Sequence, residues 1–507
     1  MDTESKTQAS ILSHIPVEPP AVSIQQVCFA YRNYSYTLPE TGSSQFSAPI
    51  LQNISFTLKK GEKLLILGPP DSGKTTLARI LCGFAPRFFA GALKGHIAIN
   101  GYNPQEIPPY NLMDTISYMA QDSNEELVAS TCRDEIVFPL ESLGRIHADM
   151  EKILADVSRA WNLEELLDTP GTELSGGERR RLLCAVAQAV DAPVLVLDEP
   201  FTDLDAFWRM KLMDFLANPS RTAIVFASRP LDIFSGSFTR WAYLEAGCIH
   251  EDSEERVRTR IEELEAGSLR HFVVPPPHSE LSLAQPQILS AHDVVVHHES
   301  AHRSQSFILS IPRFSVAQGE TVALLGANGA GKSTFCRSLC GLQPLESGQV
   351  LYGTGQGTAL AALQPIIQNY RVSYMFQNPD HQIFLPTVRE ELAWSLKKEG
   401  ISATRQEKLV TDACHYFQLE AEATPATMGY GARKRLQAAV CWLLDRPFVL
   451  LDEPDAALSF AEAQALVRMF QAQQAGIVLV SHDAAFVRSV CSRAYRIEEG
   501  VLQEVSL

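Results

Sequence analysis

Two segments of this chain are near copies of each other: GPPDSGKTTLARILCGF, starting at Gly68, and GANGAGKSTFCRSLCGL, starting at Gly326. A second pair, VLVLDEP ending at Pro200 and FVLLDEP ending at Pro454, returns after nearly the same interval of about 255 residues. Two landmarks that lie far apart within each half thus recur together. That pattern is duplication of a whole domain, not a short-period solenoid. With 507 residues the chain has length for a full hydrophobic core in each copy. The expected division is a loose tail over 1–20, a first domain over 21–251, a linker over 252–285 and a second domain over 286–507. Within the linker, EDSEERVRTRIEELEAG reads as a helix, and the proline-bearing HFVVPPPHSELSLAQPQ reads as extended chain. Residues 33–49 read as a loop inserted between two early strands.

Each half reads as strand, Gly-rich loop, helix, a helical region, then an apolar strand ending in Asp-Glu. LLILG and VALLG are short continuous apolar runs, the pattern of strands buried on both faces. Strands alternating with helices imply α/β domains with mainly parallel sheets.

Both Gly-rich loops fit GxxxxGK[ST]. Such a loop lets backbone N–H groups curl around phosphate oxygens, with the positive end of the next helix behind them. Gly68, Ser72, Gly73, Lys74, Thr75 and Thr76 in the first loop are expected to contact nucleotide. Gly326, Asn328, Gly329, Gly331, Lys332, Ser333 and Thr334 are their counterparts in the second. Lys74 and Lys332 suit the β/γ phosphates, and Thr75 and Ser333 suit Mg²⁺. Asp198 and Asp452 end the later strands, where a carboxylate holds Mg²⁺ through water. Glu199 and Glu453 follow directly, placed to orient the attacking water. Pro69, Pro70 and Asp71 make the first loop unusual: each proline lacks an N–H donor, and Asp71 brings negative charge towards the phosphates.

A formal charge of −16 weighs against sequence-independent nucleic-acid binding, which needs a basic surface, and leaves only a local basic patch open. No run of about 18 apolar residues crosses a bilayer, and MDTESKTQAS carries no signal-peptide pattern, so a cytosolic location is expected. The ten cysteines form no CxxC pair. They read as small buried hydrophobes, Cys336 and Cys340 one helical turn apart included.

Leu174-Ser175-Gly176-Gly177-Glu178, between the first loop and the first Asp-Glu strand, makes the chain resemble the ATP-binding-cassette (ABC) family. The resemblance covers both halves and implies tandem phosphate-loop NTPase domains. Each would combine a mainly parallel sheet and helices with an antiparallel β part and a helical subdomain. It also implies head-to-tail pairing of the halves, favoured within one chain. Each ATP would be sandwiched between one half's phosphate loop and the other half's signature, Ser175, Gly176 and Gly177 acting as a second anion cradle. By the same resemblance Gln121 and Gln377 touch Mg²⁺ and sense a membrane partner. Tyr31 stacks on adenine, with His298 as its counterpart, and His482 is the switch histidine that contacts the γ-phosphate.

The halves depart from the pattern unequally. Arg229 stands where the first half's switch histidine is expected. Met428-Gly429-Tyr430-Gly431-Ala432 replaces the second signature, and Tyr430 is expected to place bulk against phosphate. TDLD, ending at Asp205, becomes AALS, ending at Ser459. Head-to-tail pairing sorts these changes into the site built on Lys74. The site built on Lys332, Glu453 and His482 stays intact apart from His298, so one fast and one slow or silent hydrolytic site are expected.

QNPDHQIFLPTVREELAW (377–394) resembles energy-coupling-factor ATPases, which drive uptake of vitamins and of cobalt or nickel, and QDSNEELVASTCRDEIVFPLESLG (121–144) follows it loosely. Phe384, Leu385, Val388, Val137 and Phe138 are the expected lining of a groove for a coupling helix. This implies a peripheral protein on the cytoplasmic membrane face, with ATP and Mg²⁺ as cofactors. A transmembrane coupling protein and a substrate-binding membrane component would be its partners, with no nucleic acid. Tandem sugar-importer ATPases and soluble cassettes acting on ribosomes are the alternatives.

Overall fold

The computed structural model describes residues 19–32, 46–121, 127–269, 287–298, 307–327, 329–354, 361–362, 371–397, 401–456 and 458–507. Most of the expected tail and inserted loop, the proline-rich part of the linker, and Asn328 lie outside the described residues.

In the first half, β1 (Val22–Tyr31), β2 (Leu51–Leu58) and β4 (Gly91–Ile99) make an antiparallel sheet, ordered β2-β1-β4. A second sheet runs β5-β6-β7-β3-β8-β9, from β3 (Lys63–Leu67), β5 (Ile116–Met119), β6 (Val194–Asp198), β7 (Thr222–Ala227), β8 (Arg240–Glu245) and β9 (Cys248–Asp252). It is parallel up to the β8–β9 hairpin. Every residue of KLLIL, VLVLD and TAIVFA is buried, because layers cover both faces of these strands.

Helix α1 (Lys74–Leu81) follows β3, and α2 (Pro109–Leu112) is a single turn. α3 (Cys132–Ser142), α4 (His147–Ala160) and α5 (Gly176–Val190) form a helical layer, followed by α6 (Ala206–Leu216) and α7 (Glu254–Leu269). Trp161 is enclosed between α4, Trp208 and Phe215.

The second half repeats the plan. Its strands are β10 (Gln287–His298), β11 (Phe307–Ala317), β12 (Thr321–Gly326), β13 (Ser347–Thr354), β14 (Ala361–Ala362), β15 (Val372–Met375), β16 (Phe448–Asp452), β17 (Gly476–Val480), β18 (Arg493–Glu498) and β19 (Val501–Val505). They form one ten-stranded sheet, β14-β13-β10-β11-β19-β18-β12-β17-β16-β15. Read from β15 to β19, it reproduces the first half's central order. The antiparallel and parallel parts join where Ser310 N donates to Gly500 O at 2.7 Å, and Gln52 N to Gly247 O at 2.7 Å is the same junction in the first half. The helices are α8 (Lys332–Leu339), α9 (Val388–Lys397), α10 (Ala403–Tyr416), α11 (Tyr430–Leu443), α12 (Phe460–Ala472) and α13 (Ala484–Val490).

Among the described residues every hydrophobic cluster stays within one half. α7, inside the stretch expected to be a linker, buries Val257 and Ile261 in the first half's core and packs against α12 of the second half. It is an element of the first half and a contact with the other. All ten cysteines are free, and seven are buried.

Phe314 in β11 meets Phe335 of α8 edge-on at 5.1 Å and Tyr495 of β18 at 5.0 Å, so it locks the antiparallel part onto the phosphate-loop helix. Phe314→Ala is expected to cost the second half about 3–5 kcal/mol, read as a lower denaturant midpoint of its unfolding transition.

Candidate active site

Each phosphate loop joins a buried strand to a helix. Gly73 and Gly331 cap α1 and α8 with φ of 102° and 101°, a region that L side chains avoid. Asp71 has φ 61° where its counterpart Gly329 has φ 77°, a conformation costing a non-glycine residue about 1 kcal/mol. Both lysines fold back onto their own loops. Lys74 Nζ donates to Gly68 O at 2.7 Å and Pro69 O at 3.0 Å, and Lys332 Nζ to Gly326 O and Ala327 O, each at 2.9 Å. Burial lowers the Lys332 ammonium below its ordinary value, against the pull of Glu453 and Asp452. Tyr31 Oη lies 3.1 Å from Thr76 Oγ1, which sets this ring beside the first loop.

Asp198 and Asp452 are buried at their strand ends. Thr75 Oγ1 donates to Asp198 Oδ2 at 2.5 Å, while Asp198 Oδ1 is buried without a partner. Burial, then the charge of Glu199, push the Asp198 carboxyl up to about 6. In the second half Tyr374 Oη donates to Asp452 Oδ2 at 2.7 Å, leaving the Ser333 hydroxyl out of that bond. Glu199 and Glu453 share a left-handed backbone, φ 50° and 49°. Each N–H donates to the neighbouring strand, to Phe226 O and Val480 O respectively, at 2.9 Å. Their carboxylates diverge. Glu199 accepts from Ser228 Oγ at 2.5 Å and lies 3.8 Å from Lys74 Nζ. Glu453 accepts from Gln377 Nε2 at 3.0 Å and lies 3.5 Å from His482 Nε2.

Gln377 Nε2 also donates to Asp203 Oδ1 at 3.2 Å, so a first-half carboxylate enters the second half's cluster. A Cβ on Gly176 would fall 2.7 Å from Gln377 Nε2, so a larger residue there would displace the Gln377 amide. On the opposite side Gly429 faces the first loop: a Cβ on it would fall 2.9 Å from Asp71 Oδ1, and Arg435 Nη2 lies 3.8 Å from Asp71 Oδ2. The N-terminus of α5 therefore faces Gln377 of the second half, and that of α11 faces Asp71 of the first phosphate loop. Ser175 caps α5 in a capping box, its hydroxyl donating to Glu178 Oε2 at 2.8 Å. Burial, then the charge of Glu453, push Asp203 up to about 6. Burial and Asp452 raise Glu453. Burial, with Lys332 and Arg209 nearby, pushes His482 down to about 4, so its imidazole is neutral near pH 7.

Several expectations change. Tyr430 does not project towards the first loop; its hydroxyl donates to Gln377 O of its own half at 3.1 Å. Ser459 is no defect in folding terms: it caps α12 as Asp205 caps α6. Arg229 does not replace a histidine beside Glu199. It crosses to the second half, with Nη1 3.0 Å from Asp483 Oδ2 and Nη2 3.5 Å from Asp455 Oδ2. Gln121 contributes its carbonyl to Arg180, and its side chain makes no hydrogen bond among the described residues. Val388 is a core residue, and Val137 packs against the first half's core. The His298 side chain and Asn328 lie outside the described residues. Sequence reasoning missed Asp203 and Ser228. The contrast between TDLD and AALS was the available signal for Asp203.

The first half carries an open apolar groove of about 500 Å³ lined by Phe84, Phe88, Leu112, Tyr118, Pro139 and Leu183. Phe88 and Phe138 on this side are 64% and 54% exposed, and Phe384 in the second half is 66% exposed, edge-on to Trp394. One buried carboxylate fixes the segment ahead of the helix in each half. Glu135 accepts from Val128 N at 3.0 Å and Ala129 N at 2.8 Å, and Glu391 from Phe384 N at 3.0 Å and Leu385 N at 2.8 Å.

The family model described as "ABC transporter" matches residues 51–202 and 309–456, and the chain belongs to that family. The chain is 28% identical over 477 residues to a "Putative ABC transporter ATP-binding protein" of Treponema denticola, covering 90% of this chain and 94% of that one. It is 26% identical over 489 residues to a like-named protein of Streptococcus mutans, covering 89% and 87%. Among solved structures, "RNase-L Inhibitor" aligns with TM-score 0.56 at 17% identity, over 95% of this chain and 90% of that chain, a likeness of fold. The protein is an ATP hydrolase with two ABC domains. No described helix is long and apolar enough to cross a membrane.

The unpartnered Asp198 Oδ1 beside Thr75 fits the hydroxyl-plus-carboxylate half of a Mg²⁺ shell. No group of three or more His, Cys, Asp or Glu among the described residues makes a metal cage. Phosphate oxygens and water would supply further ligands.

Two outcomes follow. Arg229→Ala strands Asp455 and Asp483 and is expected to weaken docking of the halves by about 1–2 kcal/mol, read by denaturant melts and by faster proteolysis between them. Asp203, raised to about 6, takes up a proton as pH falls through that value, and Glu453, raised in the same direction by burial and by Asp452, protonates at a higher pH than an ordinary glutamate. The kcat/KM for ATP should then fall on an acid limb centred near 6 rather than 4, with His482 still neutral over that limb.

Proposed function

We propose that this chain is the ATP-hydrolysing subunit of a membrane importer of the energy-coupling-factor kind, working at the cytoplasmic face of the membrane. Its cargo would be a vitamin, a vitamin precursor or a transition-metal ion. The observation that carries the reading is the groove. The first half carries it, with Phe88 exposed, and in each half a buried carboxylate pins the segment ahead of the next helix, Glu135 at Val128 and Ala129 and Glu391 at the exposed Phe384 and at Leu385. An amphipathic helix of a transmembrane coupling protein suits such a surface, and movement of that helix would reach Gln121 and Gln377 through the same segments. A substrate-binding membrane component would complete the complex.

The two sites divide the work. In the second, Lys332 and the N–H groups from Gly326 to Thr334 hold the phosphates, while Ser175, Gly176 and Gly177 close on the γ-phosphate from the first half. Glu453 polarises the attacking water, Gln377 orients it, and neutral His482 donates a hydrogen bond to the γ-phosphate. Mg²⁺ would be held by Ser333, Asp452 and Gln377 here and by Thr75, Asp198 and Gln121 in the first site, where it offsets phosphate charge. In the first site Glu199 is already bound to Ser228 and close to Lys74, and no histidine accompanies it. That site binds ATP and turns it over slowly. Tyr31 stacks on its adenine.

Glu453→Gln should lower ATPase turnover at least about 100-fold, while Glu199→Gln should leave most of it. Equal losses refute the division of labour. Affinity capture of the full chain from membranes and from ribosomes tests the role: a small integral membrane partner supports the importer, and ribosome co-sedimentation alone refutes it.

A further inference from the structure

The first half holds its glutamine loop with a single side chain. Arg180, buried in α5, donates Nη1 to Ala120 O at 2.9 Å and Nη2 to Gln121 O at 2.7 Å. A guanidinium can do this because it is a rigid planar fork. Aligning LSGGERRRL with MGYGARKRL puts Lys434 at the position of Arg180 and Tyr430 at that of Gly176. Lys434 is equally buried, but an ammonium is a point donor. It reaches the first carbonyl only, Phe376 O, at 3.3 Å, and that carbonyl also accepts from Gln437 Nε2 at 3.0 Å. The second carbonyl, Gln377 O, accepts from Tyr430 Oη at 3.1 Å.

We propose that Tyr430 is a positioning residue for Gln377, its hydroxyl and Lys434 together replacing the arginine fork of the first half. The altered signature then serves the ATP site of its own half, through the glutamine that bridges Glu453 and Asp203. The placement of the ring agrees. It lies beside Arg433 and Lys434, 5.7 Å and 6.0 Å from its centre, while the residue facing Asp71 is Gly429. The tyrosine is thus part of a three-residue exchange: Gly176, Arg180 and Leu183 in one half, Tyr430, Lys434 and Gln437 in the other. The inference rests on the reading of the second site as the hydrolytic one.

Steady-state ATPase assays and nucleotide-binding stoichiometry on the full chain test it. Tyr430→Phe removes one oxygen and keeps the ring. It should lower kcat about 10-fold with KM, bound nucleotide and melting temperature unchanged. Adding Lys434→Arg should restore most of kcat, because the fork then spans both carbonyls. Tyr430→Gly, which returns the first half's residue, should also lose kcat. Wild-type kcat in Tyr430→Phe, a loss that Lys434→Arg leaves in place, or a gain of turnover in Tyr430→Gly would each overturn the proposal. Glu453→Gln separates the two claims. If it keeps full activity, the assignment of the hydrolytic site falls and the inference with it. If it is inactive while Tyr430→Phe keeps full kcat, only the inference falls.

Discussion

The hydrogen bonds from Gln377 to Glu453 and Asp203 join three chain segments that no common core holds together. Hydrophobic clusters give each half its own stability and stop at its border. What spans the border at the sites is polar: Gln377 with Asp203, Arg229 with Asp455 and Asp483, and Arg435 with Asp71. Polar interfaces between domains permit relative motion more readily than apolar ones. A site built across such a border is complete only when the halves are docked, so the chemistry is tied to docking by construction. α7 adds a fixed contact, rooted in the first half and packed against α12.

Within each half the glutamate that follows the strand-end aspartate sits on a strained backbone. Glu199 and Glu453 occupy left-handed conformations that a non-glycine residue adopts at a cost, and in both halves a strand-to-strand hydrogen bond enforces them. The same strain in two halves with different side-chain partners shows that the backbone device is common to both. The difference lies in what each carboxylate meets. Glu199 is occupied by Ser228, and Glu453 by a glutamine and a neutral histidine.

The duplication, the loops, the buried strands and the signature were legible because they are local patterns: a left-handed turn needs Gly73, and a buried strand needs an apolar run. Residues whose role depends on a neighbour distant in sequence were not. Asp203 looked like one acid of TDLD and turned out to reach Gln377, 174 residues away. Tyr430 was read as bulk facing phosphate, because a sequence gives a side chain's size but not its direction. Ser459 was read as a loss, although a serine caps a helix as well as an aspartate does. The expected groove lining, Phe384, Leu385, Val388, Val137 and Phe138, is not that of the apolar groove in the first half, which is walled largely by Phe84, Phe88, Leu112 and Leu183, and Val388 faces the core.

The asymmetry between the halves is coordinated in charge. Arg229 stands where the second half has His482, and it pairs with Asp455 and Asp483. The first-half positions equivalent to those aspartates hold Phe201 and Pro230, which cannot bind an arginine. A mirror-image bridge is therefore impossible, and the bridge that does form ends on Asp483, the residue next to His482. Arg209 adds a second first-half cation near the same acids, its own charge disfavoured chiefly by burial and by Arg229. Two half-buried arginines are best tolerated beside carboxylates, and the acids that Arg229 pairs with, Asp455 and Asp483, belong to the second half. The arginine at the histidine's position thus supplies a cation that anchors the first half beside Asp455 and Asp483 of the other.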